Sequence, residues 1–414
     1  MKIGYLSSCF AGIAGKRLSK VEANLLCSNQ HEFNGDRGLR TLLGTGNGRQ
    51  RFQTTFLYMS DLEVIHREGE MTWYDAREKN LSRTEWRLYF PTTDVMLKAK
   101  EKDTLIICRK TDGTLLVIIA QSGDTVENQL KWLFGIRQEE QSEFDVKDTF
   151  PACNDGLDFV AGIILEQIGI EPDCAVGSSY LEEMISKFGG SFPSTREFSE
   201  YARNTLDDVD SVSDPDDSLL RWMEREEILF RTLERHMVAK RLKQGFVSEE
   251  GVDVDDFIRF SLSVQNRRKS RAGHAFENHV EKLLIDHGIY SSRNPVVEKN
   301  KHPDFLFPDI RAYYDRSFSA SCLTMLGVKS TCKDRWRQIL SEADRIERKH
   351  LLTLEAAISE NQTEEMKAGR IQLVLPEKIH ATYTKEQQKW LYSVEGFLNE
   401  VKERQNICGW VPGI

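Results

Sequence analysis

Lys329 interrupts an apolar run. Residues 323–330 read LTMLGVKS, a buried strand in every respect except for the ammonium group near its end. An unpaired charge there would cost several kcal/mol, so the strand requires a carboxylate or phosphate partner. A shorter apolar segment, 302–308 (HPDFLFP), carries a carboxylate at Asp304. Lys333, Asp334 and Arg335 follow the lysine directly, and Glu342 lies 13 residues beyond it. The stretch from His302 to Asp344 therefore dictates a fold that compensates charges inside apolar segments, and it is the first sign of a site.

With 414 residues, the chain is long enough for two or three domains, each with its own core. A net charge of −9 argues against indiscriminate coating of nucleic acid. It leaves room for a local basic cleft, because screening limits remote charges to a range of about 8 Å at physiological salt. The 8 cysteines are scattered without a C-x-x-C pair, which favours reduced thiols in a cytoplasmic protein over a disulfide framework or a zinc site. The opening IGYLSSCFAGIAG is mildly apolar, yet it has one preceding lysine, repeated glycines and no leucine-rich core, so it does not read as a secretory signal. No stretch approaches the ~20 apolar residues of a membrane span.

Residues 1 to 136 have the punctuation of a β-rich domain. Strands are expected at Phe52–Met59, Thr72–Arg77 and Glu85–Phe90, with a hairpin of Thr104–Lys110 and Thr114–Ala120 turning at Gly113. The glycines of 12–16 and 44–48 lack phosphate-loop or dinucleotide spacing and read as turns or loops. An acidic, irregular segment from Arg137 to about Gly190 marks the boundary, giving a β-rich domain over 1–170 and a second domain over 171–414. The aspartate-rich run 207–217 reads as a solvated loop. Helices are expected over Ser218–Lys243, Ala272–His287 and about Asp334–Ile358, with strands at Asp304–Phe307, Leu323–Ser330 and Arg370–Leu375. That alternation is α/β.

Phosphodiester hydrolysis needs an activated water, neutralisation of charge building at phosphorus, and help for the leaving oxygen. Asp304, Lys329 and Glu342 have the right chemical types, and Glu277 borders the buried face of its helix beside Phe276, Val280 and Leu284. On residue type alone, salt-bridged border residues explain the same pattern.

The segments SVQNRRKSRAG, HPDFLFP and VKSTCKDRWRQILSEAD resemble the catalytic domain of EcoRII-type restriction endonucleases, within the PD-(D/E)xK nuclease superfamily. A weaker similarity runs forward through FPSTREFSEYAR and DPDDSLLRWMEREEILF. The resemblance implies a restriction-endonuclease-like domain with a central mixed sheet flanked by helices. It assigns Asp304 and Glu342 as magnesium ligands, Lys329 as the catalytic lysine, Glu277 as an outer ligand and Tyr313 as a tyrosine near the active site, with a packed aromatic as the alternative for Tyr313. The superfamily usually places an acid two residues before the lysine. Here that position is Gly327, and Glu342 falls where a variant branch carries the acid instead. Lys333, Asp334 and Arg335 would then read C·G pairs, since arginine bonds guanine bidentately and aspartate accepts from cytosine N4. Arg267, Arg268, Lys269 and Arg271 suit phosphate contacts that position without specifying.

A fainter likeness in NQHEFNG and SRTEWR points to a B3-like, DNA-binding pseudobarrel in the N-terminal half. Arg83, Glu85 and Arg87 alternate along one strand face, with Gln30, His31 and Glu32 on a neighbouring loop; a cross-strand salt-bridge ladder is the structural alternative. The reading that results is a Mg2+-dependent type II endonuclease acting on double-stranded DNA as a homodimer, with a cognate DNA methyltransferase and a regulatory N-terminal domain. Three rivals are a modification-dependent endonuclease, a non-cleaving DNA-binding regulator and an RNA-processing nuclease.

Overall fold

A computed structural model describes residues 6, 9–23, 31–46, 48–79, 83–136, 143–147, 157–170, 180–189, 191–248, 251–332 and 335–410. Backbone proximity divides the chain into two compact units. One comprises Met1–Asn154, Ala161–Pro172 and Ala357–Gln362; the other comprises Asp155–Val160, Asp173–Ala356 and Thr363–Ile414.

The first unit is built on an eight-stranded sheet. Its strands are β1 (Phe10–Arg17), β2 (Glu32–Asn34), β3 (Gln50–Met59), β4 (Val64–Asp75), β5 (Trp86–Tyr89), β6 (Thr104–Lys110), β7 (Leu115–Ala120) and β8 (Asp145–Lys147), in the order β2-β5-β4-β3-β7-β6-β1-β8. Every pairing is antiparallel except β3 with β7. The β6–β7 hairpin forms as its apolar arms require, with Gly113 at φ 87° in the turn. Residues 12–16 are not a loop but the middle of β1. Gly12 and Gly15 are there for space, because a Cβ at either would meet Leu42 or Ile136 at 2.8 and 2.7 Å. The helix α1 (Arg37–Leu43) and the aromatic residues Phe33, Phe56, Trp73, Trp86 and Phe90 fill the core.

The second unit combines helices with a five-stranded mixed sheet. Helices α2 (Thr195–Asn204), α3 (Pro215–Gln244) and α4 (Val254–Asp286) precede it. A small hairpin, β9 (Val247–Ser248) with β10 (Gly251–Val252), joins α3 to α4. The sheet order is β11 (Ser292–Arg293), β12 (Phe305–Phe307), β13 (Thr324–Lys329), β14 (Lys349–Thr353) and β15 (Ile371–Val374). The first two pairings are antiparallel and the last two parallel. Within the strands β12, β13, β14 and β15 themselves, every residue is buried except Lys329, which is half-buried. The α/β expectation holds for this unit.

Several local expectations change. The helix expected from Asp334 to Ile358 is only α5 (Trp336–Ile339), because the apolar KHLLT run that follows pairs as β14 in the sheet. The helix expected to begin at Ala272 begins at Val254 and so contains the basic cluster. The acidic run is not simply solvated: Asp214 caps α3, and buried Asp216 accepts backbone bonds from Glu377, Val394 and Glu395. The thiols are not all reduced, since Cys322 and Cys408 form a disulfide that fastens the approach to β13 to the end of a helix, α6 (Val394–Ile407). No helix among the described residues is long and apolar enough to cross a membrane.

Candidate active site

Antiparallel pairing of β12 with β13 sets Phe305 opposite Leu326. Asp304, one residue earlier, therefore stands beside the end of β13. Its Oδ2 accepts from the Val328 backbone N–H at 2.6 Å and from Lys329 Nζ at 2.6 Å. Lys329 thus has the carboxylate partner that its apolar setting requires. Deleting one member of a buried pair of this kind costs about 3–5 kcal/mol, so neither group is there for solubility.

Glu342 lies in the turn after α5, not on a helix; its N–H bonds the Ile339 carbonyl at 3.1 Å. Ile339 and Ile346 are buried on either side, and Glu342 itself is 9% exposed. Burial pushes its pKa up to about 7, and the nearby charge of Asp304 acts in the same direction; Lys329, Lys301 and Lys349 oppose both. Lys349, at the head of β14, donates to the Leu340 carbonyl at 2.8 Å and so holds the turn that carries Glu342. Gly327 has a packing reason. A Cβ on it would meet Ile339 Cδ1 at 2.4 Å, so the α5 segment occupies the space that an acid at this position would need.

Glu277 on α4 reaches the same strands indirectly. Its Oε2 accepts from Arg293 Nη2 at 3.0 Å and Asn294 Nδ2 at 3.4 Å, while the Asn294 backbone N–H bonds the Asp304 carbonyl at 2.9 Å. Tyr313 is fully buried, and its hydroxyl donates to the Glu298 carboxylate, with oxygen distances of 2.8 and 2.7 Å. Burial and that acidic neighbour hold its pKa above the usual tyrosine range. The Arg345 N–H reaches the same hydroxyl at 3.3 Å, so Tyr313 braces the turn beyond Glu342 as a packed aromatic.

Among the described residues, no three or more His, Cys, Asp or Glu side chains gather as a metal cage. Asp304 and Glu342 instead offer two hard oxygen donors, and magnesium is commonly held by one or two carboxylates, with water and substrate phosphate completing its shell. The donor chemistry fits that ion.

Lys333 and Asp334 lie outside the described residues. Arg335 is exposed, and its N–H bonds the Cys332 carbonyl at 2.7 Å; the Cys332 N–H is held by the buried Glu355 carboxylate. The basic cluster divides. Arg271 is buried, paired with Glu226 and Glu227 and placed 4.0 Å from the Phe230 ring, so the expected phosphate role does not suit it. Arg268 Nε is bonded to Glu234 at 2.6 Å, and Arg267 stacks 4.5 Å from the Phe192 ring. Lys269 is exposed.

In the first unit, β2 pairs with β5, with Glu32 opposite Tyr89 and Asn34 opposite Arg87. Arg87 bonds Asn34 and Glu85, Glu85 also takes Arg77, and these arginines hold the Glu85 carboxyl below the usual range, Arg87 most strongly. Glu85 and Arg87 are therefore held in ion pairs, as the ladder alternative has it, but the pairs join Arg77 and Arg87 to Glu85 and do not include Arg83. Arg83 precedes the strand and is exposed, His31 is half-buried with Nδ1 3.4 Å from the Thr92 hydroxyl, and Gln30 lies outside the described residues.

Sequence reasoning missed Arg293, Glu298, Lys349 and Glu355. Only Lys349 carried a readable signal, a lysine heading an apolar strand just as Lys329 closes one.

Residues 230–398 match the family model described as EcoRII C terminal. Over 211 residues the chain is 42% identical to the Type II restriction enzyme EcoRII of Escherichia coli, a match covering 51% of this chain and 50% of that protein. The chain thus spans about half the length of the curated relative it matches. Solved structures with similarity include metal-depleted Ecl18kI in complex with uncleaved DNA (TM-score 0.46, 20% identity, 57% of this chain and 87% of that one) and the restriction endonuclease PspGI–substrate DNA complex (TM-score 0.40, 16% identity, 56% and 93%). The sequence match shows the EcoRII resemblance for the part of the chain that holds Asp304, Lys329 and Glu342.

Proposed function

We propose that the chain is a sequence-specific type II restriction endonuclease that makes double-strand cuts in DNA by Mg2+-dependent phosphodiester hydrolysis. The observation that carries this reading is the Asp304–Lys329 pair, set together by β-strand register beside buried Glu342, within the EcoRII-like region.

Asp304 and Glu342 would hold the ion, which when bound supplies charge neutralisation and an acidified water. Lys329 is fixed at the strand end, where its ammonium can face the attacked phosphate and stabilise the charge that builds there. Asp304 keeps that ammonium in place through Oδ2. Glu342, with a pKa of about 7, can take up a proton in the reaction's pH range when no cation satisfies it. Arg335, with Lys333 and Asp334, would read C·G pairs, and Lys269 and Arg267 would contact phosphates. The first unit, proposed as B3-like, would bind DNA through Arg83, the Glu85–Arg87 ladder and His31, and would regulate cleavage. The implied setting is the cytoplasm, with a cognate methyltransferase acting on the same sequence and a homodimer as the cutting form.

The test is Lys329→Ala assayed on plasmid and in gel-shift. Cutting should fall by at least about 100-fold while binding stays within several-fold; retained cleavage would show that the site is elsewhere.

A further inference from the structure

The connection between β11 and β12 is held in a conformation that its residues do not favour by themselves. Its one-turn 3-10 helix, Glu298–Asn300, puts Lys299 at φ 58° and Asn300 at φ 55°, both in the left-handed region. Asparagine tolerates that region, but for lysine it is strained, and such strain persists only where the surroundings over-determine it. Here they do. The Val297 N–H bonds the Lys301 carbonyl at 2.9 Å, and the Lys301 N–H bonds the Glu298 carbonyl at 3.2 Å, closing the turn on itself. The Tyr314 hydroxyl donates to the Val296 carbonyl at 3.1 Å. Two ties then run to the turn that carries Glu342. Lys299 pairs with Asp344 at 3.0 Å, and Glu298 accepts from the Tyr313 hydroxyl, which the Arg345 N–H meets from the other side.

What this bracing presents is Lys301, half-buried and three residues ahead of Asp304. Around Glu342, Lys329 is paired with Asp304, Lys349 is bonded to the Leu340 carbonyl, and Lys299 is paired with Asp344. Among the described residues, no ion pair or hydrogen bond engages the Lys301 ammonium. Its charge is nonetheless felt at Glu342, where it opposes the burial that raises that carboxyl's pKa. A lysine drawn partly out of water without a protein partner is a cation kept for an anion from outside.

We propose that Lys301 binds a backbone phosphate of the DNA strand being cut, the neighbour of the phosphate that Lys329 faces. An ammonium holds a phosphodiester as a point charge and reads no sequence, so the contact positions the strand. The braced turn fixes where that phosphate sits relative to Asp304 and Glu342, and so aligns the scissile bond. The inference deepens the nuclease reading and rests on it.

Salt-dependent binding of the full chain to duplex DNA, measured without Mg2+ so that the duplex stays whole, tests it. Each phosphate contact adds about 0.9 to the steepness with which log K falls against log salt. Lys301→Gln should therefore flatten the slope by about 0.9 and weaken cognate and non-cognate duplexes alike, by about fivefold to tenfold. Lys301→Arg keeps the charge and should restore both. A packing role would not move the salt slope, and urea midpoints of both variants should stay close to wild type. An unchanged slope in Lys301→Gln, or a loss that Lys301→Arg does not recover, would overturn the contact while wild type still binds and cuts. Wild type that neither binds nor cuts DNA would overturn the nuclease reading, and the contact with it.

Discussion

Glu342 concentrates the cost of building this site. With its folded pKa near 7, it keeps a proton between the ordinary carboxylate range and neutrality that the unfolded chain releases. Its contribution to stability is therefore fully present at low pH, falls as pH rises through that window, and stays lost above it. Glu342→Gln removes the dependence. In metal-free buffer the variant should be more stable than wild type at pH 8 by roughly 1–3 kcal/mol and nearly equal at pH 4.5, as read from urea midpoints. Equal stability at both pH values would mean that the carboxylate is not strained by burial. Asp304 and Lys329 were legible because a charge in an apolar run needs a partner, and each supplied the other's need. Arg293 and Glu298 were not, because an arginine on a two-residue strand and a glutamate at the start of a one-turn 3-10 helix look like any solvated charge until the fold brings Glu277 and Tyr313 to them.

At the scale of elements, Ile339 of α5 fills the space over Gly327, and the turn after α5 carries Glu342, the acid proposed for the site, near Asp304 and Lys329. Transplanting the acid by Gly327→Glu in a Glu342→Ala background should therefore fail to restore cutting. Gly327→Ala alone should cost about 1–3 kcal/mol through overpacking; full rescue by the transplant would mean that the two positions are interchangeable. Strands β3, β6, β7, β12, β13 and β15 were legible from apolar runs and the Gly113 turn, whereas β1, β2, β8 and β14 were not, and β4 begins at Val64, well before the Thr72 expected. The long helix expected over 334–358 was misread because KHLLT has no helical period of its own, and strand pairing with both β13 and β15 decides it. The start of α4 was missed although Val254, Phe257, Ile258 and Leu262 keep helical spacing, because that stripe is exposed and the reading took the helix from its buried face alone.

At the scale of the whole molecule, the expectation of two parts rested on a change from β punctuation to an acidic, irregular stretch followed by helix–strand alternation. The grouping of Ala357–Gln362 with the first unit had no sign in the sequence, since a short segment between two sheet strands carries no local mark of where it packs. If the first unit regulates cleavage, deleting residues 1 to about 180 should free cutting from dependence on a second DNA site. Plasmids with one and two sites separate the outcomes, and a truncated protein with unchanged site dependence would remove the regulatory role. Digesting a plasmid library with and without Mg2+ and sequencing the ends tests sequence-specific, magnesium-dependent double-strand cleavage outright. Ends at one short recurring, C·G-containing sequence are expected with magnesium and none without. Intact plasmid in both arms, or ends scattered without a common sequence, would contradict it.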